Sequence, residues 1–285
     1  MPRGPRHHLK RVDAPSKWML DKLGGTFAPR PTEGSHGLRE SIPLLLILRE
    51  KLNYALNATE VTKILMANFV EVDAKVRTNP KYPAGFQDVI TIPKTGESYR
   101  VLFDIKGRFQ LHKVNEKEAQ YKLCKVVQKY TGRNNTPFLR THDNRVIRYP
   151  DPAAKIDDTI KVNLRTGKMS TIVRFKEGNL CMITGGRNTG RIGVIESREP
   201  HPGSYEIVHV RDTAGNDFTT RRENIFVIGH EKTAMISLPA MNGVRMTTLE
   251  DRKRKLKNLK RQKKRSLNFK KAKQILFLII PHPIY

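Results

Sequence analysis

The sequence predicts an α+β fold, mostly β, built from several small pieces. These are a two-helix-plus-hairpin module, a central β domain, a small β barrel and basic extensions at both ends. Three observations carry this prediction. Apolar residues hold helical spacing mainly between residues 41 and 69. Beyond residue 70, short runs of β-branched and aromatic residues alternate with turn residues, at the roughly 8–12-residue spacing of a small barrel. Lys and Arg number 54 against 27 Asp and Glu, a formal charge of +27.

Residues 1–40 are rich in Pro, Gly, His and Arg. One short amphipathic stretch, SKWMLDKL, can place Trp18, Met19 and Leu23 on one helical face. So little apolar surface predicts an extension that orders on a partner. Trp18 suits a core-capping aromatic and a base-stacking surface equally.

Residues 41–92 read as a compact module. Ser41 can cap a first helix, whose apolar stripe is Leu45, Leu48, Leu52 and Ala55/Leu56. Asn57 and Glu60 have capping-box spacing at the start of a second helix, with Val61, Ile64, Leu65 and Phe69 inward. FVEVDAKVRTN then alternates around an Asp73-Ala74 corner, a hairpin pattern. Lys51, Lys63, Lys75 and Arg77 lie off the apolar stripes. A solvated charged face is the bland reading, and the hairpin charges favour phosphate contacts.

Residues 93–177 form the central β domain. Hairpins are predicted around Lys106-Gly107 and Thr166-Gly167, while EKEAQYKLCKVVQKY between them fits either strand or helix. Residues 178–250 form the barrel, opening with GNLCMITGGRNTGRIGV. Gly185 and Gly190 have P-loop spacing, but Arg191 and Ile192 stand where Lys and Ser/Thr belong. Ile192 offers no oxygen to Mg²⁺, and the β-branched RIGVIE continues as a strand rather than the helix a phosphate site needs. The stretch is read as a hairpin with turn glycines Gly186, Gly190 and Gly193, and no ATP site. Residues 251–285 form a basic tail, with 13 Lys and Arg between Arg252 and Lys273 before ILFLII. Like charges at i,i+4 predict that residues 252–273 stay unfolded away from a polyanion.

A surplus of +27 repels itself unless a polyanion neutralises it, and nucleic acid is the usual one. An anionic membrane surface is the competing partner. No run of 18 apolar residues exists, so nothing spans a bilayer, and the expected partner is nucleic acid rather than membrane. MPRGPRHHLKRVDAP lacks the apolar stretch of a secretory signal. Cys124 and Cys181 form no C-x-x-C pair and read as buried thiols of a cytosolic or nuclear protein. The nine histidines show no metal-ligand spacing. No metal, cofactor, small-molecule substrate or catalytic residue is expected.

GNLCMITGGRNTGRIGVI resembles the KOW motif of SH3-like barrels. The two-helix-plus-hairpin module, with VDAKVRT followed by YPAGFQDVI, resembles the αL-type RNA-binding domain. Their order, with GPRHHLKR, APSKWMLDKL, FAPRP, YKLCKV, THDNRVIRYPDP, HPGSYEIVHV and NIFVIG, is similar to the eukaryotic/archaeal family of small-subunit ribosomal proteins numbered four. The likeness covers residues 2 to 250. It implies a non-enzymatic constituent of the small subunit that binds 18S rRNA and neighbouring ribosomal proteins, resident on cytoplasmic ribosomes after nucleolar passage. By motif position it implies RNA contacts at Lys51, Lys63, Lys75 and Arg77, at Arg187, Asn188 and Arg191 of the KOW turn, and on the basic arm at Arg3, Arg6, Lys10 and Arg11. A free RNA-processing or transcription factor with a KOW barrel is the alternative. An RNA-modifying enzyme fits less well, because the chain holds no Arg-Leu-Asp tripeptide. Two departures stand out. The family places Asp-Gly where this chain has Asp73-Ala74, and residues beyond about 265 have no recognisable counterpart.

Overall fold

The computed structural model describes residues 4, 6–231, 233–239 and 243–259. The chain forms two units, one ending at Val244 and one starting at Arg245.

In the first unit, β1 (Leu9–Lys10) and β2 (Phe27–Ala28) pair antiparallel, Leu9 opposite Ala28 and Lys10 opposite Phe27. Cross-strand partners share a face. Leu9 and Ala28 are buried, and Lys10 and Phe27 are exposed. The helix predicted over SKWMLDKL does not form. Ser16–Trp18 make a single 3-10 turn and Met19 follows at φ 62°, a break no helix survives. Trp18 is buried, its Nε1–H donating to the Ser41 carbonyl at 2.7 Å, while Leu23 is 97 % exposed. Trp18 is therefore a core residue. The extension needs no partner to order, because Leu9, Trp18 and Ala28 join the main core.

Ser41 does not cap a helix; it lies in β3 (Ser41–Pro43). Next come α1 (Leu44–Leu46), a π-helical turn over Ile47–Lys51, and α2 (Ala58–Met66). Asn57 and Glu60 make the predicted capping box, and Val61 and Leu65 are buried. β4 (Glu71–Val72) and β5 (Lys75–Val76) form the predicted hairpin. β6 (Pro83–Gly85) returns to pair with β3, Ser41 opposite Gly85. β7 (Val89–Ile92), β8 (Glu97–Phe103) and β9 (Phe109–Val114) complete a five-stranded sheet in the order β5-β4-β7-β8-β9. The expected boundary at residue 92 falls at the β7–β8 turn, and strand pairing runs across it.

The ambiguous stretch resolves into both alternatives: α3 (Glu116–Ala119), then β10 (Tyr121–Thr131). β11 (Pro137–Thr141), β12 (Val146–Arg148), β13 (Thr159–Asn163) and β14 (Met169–Val173) join β10 in the order β12-β11-β10-β13-β14. The last sheet contains β15 (Leu180–Ile183), β16 (Ile192–Glu199), β17 (Ile207–Asp212), β18 (Asp217–Arg221), β19 (Ile225–His230) and β20 (Thr233–Ala234). Its order is β18-β17-β16-β15-β19-β20.

One core joins these pieces. It runs from Leu9 and Trp18 through the helices to Leu123 of β10 and to Met182, Ile192 and Phe226 of the last sheet. Phe86 is the junction, stacked on Phe103 at 5.2 Å and edge-on to Phe226 at 5.0 Å.

In the second unit, residues 248–259 are helical. The Thr247 hydroxyl accepts from the Glu250 N–H at 3.3 Å, and Glu250 accepts from the Thr247 N–H at 2.9 Å, a reciprocal capping box. The first residues of the basic run therefore take the helical form, and the capped start offsets part of their charge repulsion. Residues 260–285, including ILFLII, lie outside the described residues.

Candidate nucleic-acid interface

The β4–β5 hairpin presents Lys75 and Arg77, and its corner sets their direction. Asp73 and Ala74 sit at φ 54° and 58°, the paired positive φ of a type I′ turn. Asp73 also reaches inward. Its carboxylate accepts from the Val89 N–H at 3.1 Å and from Lys122 Nζ at 2.9 Å. Lys122 is wholly buried and also meets Asp143 at 2.9 Å and Asp88. His36 pairs with Asp88 at 2.9 Å, and Arg145 reaches Asp73 at 3.3 Å and Asp143 at 3.5 Å. Burial penalises every charge in this cluster. Around Lys122 the three carboxylates outweigh that penalty and raise its pKa well above the ordinary value. Burial likewise opposes ionisation of Asp88, and His36 and Lys122 together overcome it and hold that carboxyl low. At Asp73 burial wins and the pKa rises. The hairpin is thus bolted to the central sheet by a buried ionic cluster that spacing along the sequence does not reveal.

The four module cations lie on separate elements. Lys63 is exposed in the last turn of α2, and Lys75 is exposed on edge strand β5. Arg77 is half-buried, its guanidinium 4.4 Å over the Tyr82 ring. Lys51 is half-buried, its pKa lowered first by burial and then by the neighbouring Arg108. Arg108 is a cation the sequence reading missed. The sign that could have found it is its place beside the Gly107 turn.

The KOW turn spans Thr184 to Arg191, between β15 and β16. Its glycines are packing devices. Gly190 is at φ 87°, and a Cβ there would lie 1.9 Å from the Asp104 carbonyl oxygen in the β8–β9 turn. Gly193 backs onto the Arg211 carbonyl, 2.5 Å from its would-be Cβ, and Gly186 is at φ 77°. Arg191 does not face outward. It is buried, donates to Asp212 at 2.9 Å, and lies 3.7 Å over the Phe218 ring. Its partner sits across the β16–β17 pairing, so position in the motif did not disclose it. Asn188 is half-buried and donates to the Thr219 carbonyl at 3.3 Å. Arg187 is exposed.

On the N-terminal arm, Arg6 and Lys10 are exposed. Arg11 is half-buried and clamps Asp21, its Nε donating to the Asp21 carbonyl at 2.5 Å. Arg3 lies outside the described residues.

One group among the described residues has metal-like composition: Cys124, His142 and Asp143. Its atoms are already engaged. His142 Nδ1 accepts from the Lys125 N–H at 3.2 Å and Nε2 donates to the Phe86 carbonyl at 3.2 Å. Burial pushes the Cys124 thiol well above its usual range, away from the thiolate a metal needs. Asp143 serves Lys122.

Four family models match this chain. They are the RS4NT (NUC023) domain over residues 3–39, the ribosomal family S4e over 95–169, the KOW motif over 177–211, and the 40S ribosomal protein S4 C-terminus over 212–259. The small ribosomal subunit protein eS4 of Ixodes scapularis is 56% identical over 256 residues, covering 90% of this chain and 98% of that one. The protein of the same name from Bombyx mori is 54% identical, covering 90% of this chain and 97% of its own. The crystal structure of the 30S ribosomal protein S4e from Thermoplasma acidophilum superposes with a TM-score of 0.59 at 34% identity, covering 69% of this chain and 99% of that chain. Identity at this level over nine-tenths of the chain, together with the mostly β architecture and the KOW turn, places the protein in the ribosomal protein S4e family.

Proposed function

We propose that this protein is a structural, non-enzymatic constituent of the small ribosomal subunit, binding ribosomal RNA and neighbouring ribosomal proteins. The observation that carries the reading is the end-to-end likeness to small-subunit proteins, 98% of the Ixodes chain being covered. The RNA is 18S in a eukaryotic ribosome, and the protein works on cytoplasmic ribosomes after assembly in the nucleolus. Residues 41–92 act as an αL-type RNA-binding module and residues 178–250 as an SH3-like KOW barrel. Exposed Lys63, Lys75, Arg187, Arg6 and Lys10 take phosphates, with Lys51, Arg77 and Asn188 at the margin. Arg191 and Arg11 support this surface by holding Asp212 and Asp21. Each phosphate contact releases condensed cations, so affinity falls steeply with salt. Folded RNA offers shape and backbone more than base edges, which suits cations dispersed over rigid elements.

The tagged protein should co-sediment with small subunits through a moderate salt wash and be nearly absent from the free pool. A predominantly free protein would favour a processing or transcription factor instead. In vitro, replacing Lys75 and Arg77 together by Ala should lower the slope of log affinity against log salt by about 1–2 units, one per phosphate lost. A slope equal to wild type would put both side chains on a solvated face.

A further inference from the structure

The outward face of the β1–β2 ribbon carries an exposed aromatic ring among cations. Leu9 and Ala28 anchor the ribbon to the core from its inner face, so the outer pair, Lys10 and Phe27, is held in a fixed position. Phe27 is 57 % exposed, and its ring leans on His8 with centroids 5.4 Å apart. A pocket of about 750 Å³ opens beside them, and Arg6, Lys10, Arg30 and Arg39 line it with Asp13 the one acid. Among the described residues none of these four cations makes an ion pair, whereas neighbouring Arg11 has Asp21. Arg30 also donates to the His8 carbonyl at 3.5 Å.

We propose that this pocket holds one unpaired nucleotide of RNA, its base stacked on Phe27 and its flanking phosphates on Lys10, Arg30 and Arg39. The proposal rests on the RNA-binding reading and adds a different mode to it. The cations of the β4–β5 hairpin and KOW turn need only a phosphate backbone. An exposed ring among unpaired cations is the stacking platform of single-stranded recognition, where every base offers a π face. Four cations against one acid fit a polyanion and oppose a protein partner, which would need matching carboxylates.

The test uses the purified full-length protein, a short single-stranded adenosine oligomer and a blunt RNA duplex. Phe27 is absent from the buried core, so Phe27→Ala should fold. It should weaken oligomer binding about tenfold, leave the salt slope unchanged and spare duplex binding. Arg30→Gln with Arg39→Gln should instead lower the slope. Phe27→Trp should keep the affinity and have its fluorescence quenched by the oligomer. The native Trp18 is buried and would not respond. Unaltered oligomer binding by Phe27→Ala, or an unquenched Phe27→Trp, overturns the proposal. If Phe27→Ala binds both RNAs normally yet fails to enter subunits, the ring docks on a protein and the proposal is likewise wrong. If wild-type protein binds neither RNA, the broader RNA reading fails first, a result distinguishable from these.

Discussion

Ala74 sits at φ 58°, a conformation that costs an L-residue with a Cβ about 1–2 kcal/mol. Replacing it with Gly should remove that strain, offset in part by the larger unfolded-state entropy of Gly. The net gain is about 1 kcal/mol, a rise of roughly 2–4 °C in the thermal midpoint. An unchanged midpoint would mean that the corner carries no strain. His142 is the second informative residue. Burial lowers its pKa to about 4, against about 6.5 when unfolded. A depressed pKa means that the unfolded chain takes the proton first. The stability due to neutral His142 is therefore complete above about pH 6.5 and drains away as pH falls toward 4. Its size is roughly 3 kcal/mol, at about 1.4 kcal/mol per pKa unit. His142→Gln, which stays neutral and can donate to the Phe86 carbonyl, should flatten the denaturation midpoint between pH 7 and 4.5; a wild-type profile in the variant would refute this. The sequence showed the Asp73-Ala74 corner, because turn chemistry is local. It could not show that Trp18 donates to Ser41, 23 residues on, or that Arg191 is used by Asp212, 21 residues on.

At the level of elements, the KOW turn is held by a neighbouring hairpin. Gly190 lies against the Asp104 carbonyl and Thr189 against Gly107. The φ of 87° and the 1.9 Å clash both forbid a side chain. Gly190→Val should misfold the last sheet or lower its melting point sharply, with loss of subunit incorporation. Incorporation equal to wild type would show that the turn can part from the β8–β9 hairpin. The spacing correctly predicted the hairpins at Gly107, Gly167 and Gly190 and the Asn57 cap. It erred at Ser41 and SKWMLDKL. Ser41 precedes a leucine-rich stretch and reads as a cap until β6 arrives to pair with it, more than 40 residues later. SKWMLDKL fails through the positive φ of Met19, which no periodicity encodes.

Across the whole molecule, carboxylates are used inside. Asp73, Asp88, Asp143, Asp158 and Asp212 are buried, alongside Arg100, Lys122, Lys125 and Arg191. With His36 counted beside Asp88, buried acids and buried basic residues balance among the described residues, so the interior takes up none of the positive excess. That excess stays outside, where RNA can meet it. The composition announced this partner class, but not which cations are consumed within, because consumption depends on tertiary pairing. Lys122→Met should cost about 3–5 kcal/mol, because Asp73, Asp88 and Asp143 keep only Arg145 and His36 as partners. The urea midpoint reports it. The deficit should shrink as pH falls, because uncompensated carboxylates have raised pKa values and recover by taking protons. Adding Asp88→Asn and Asp143→Asn should restore part of the loss. A single Lys122→Met variant as stable as wild type would remove the cluster from any structural role.

That ionic cluster also constrains the order of events during synthesis. Its members are spread from His36 to Arg145, and Lys122 enters late. A growing chain carries Asp73 and Asp88 well before Lys122 is made, with only His36 already present to pair with Asp88. Asp73 and Asp88 meet their ammonium only once β10 has left the exit tunnel, and Asp143 and Arg145 complete the cluster after β11. Until then a basic, unfinished chain is exposed to every polyanion nearby, and a chaperone that shields it would act over that interval.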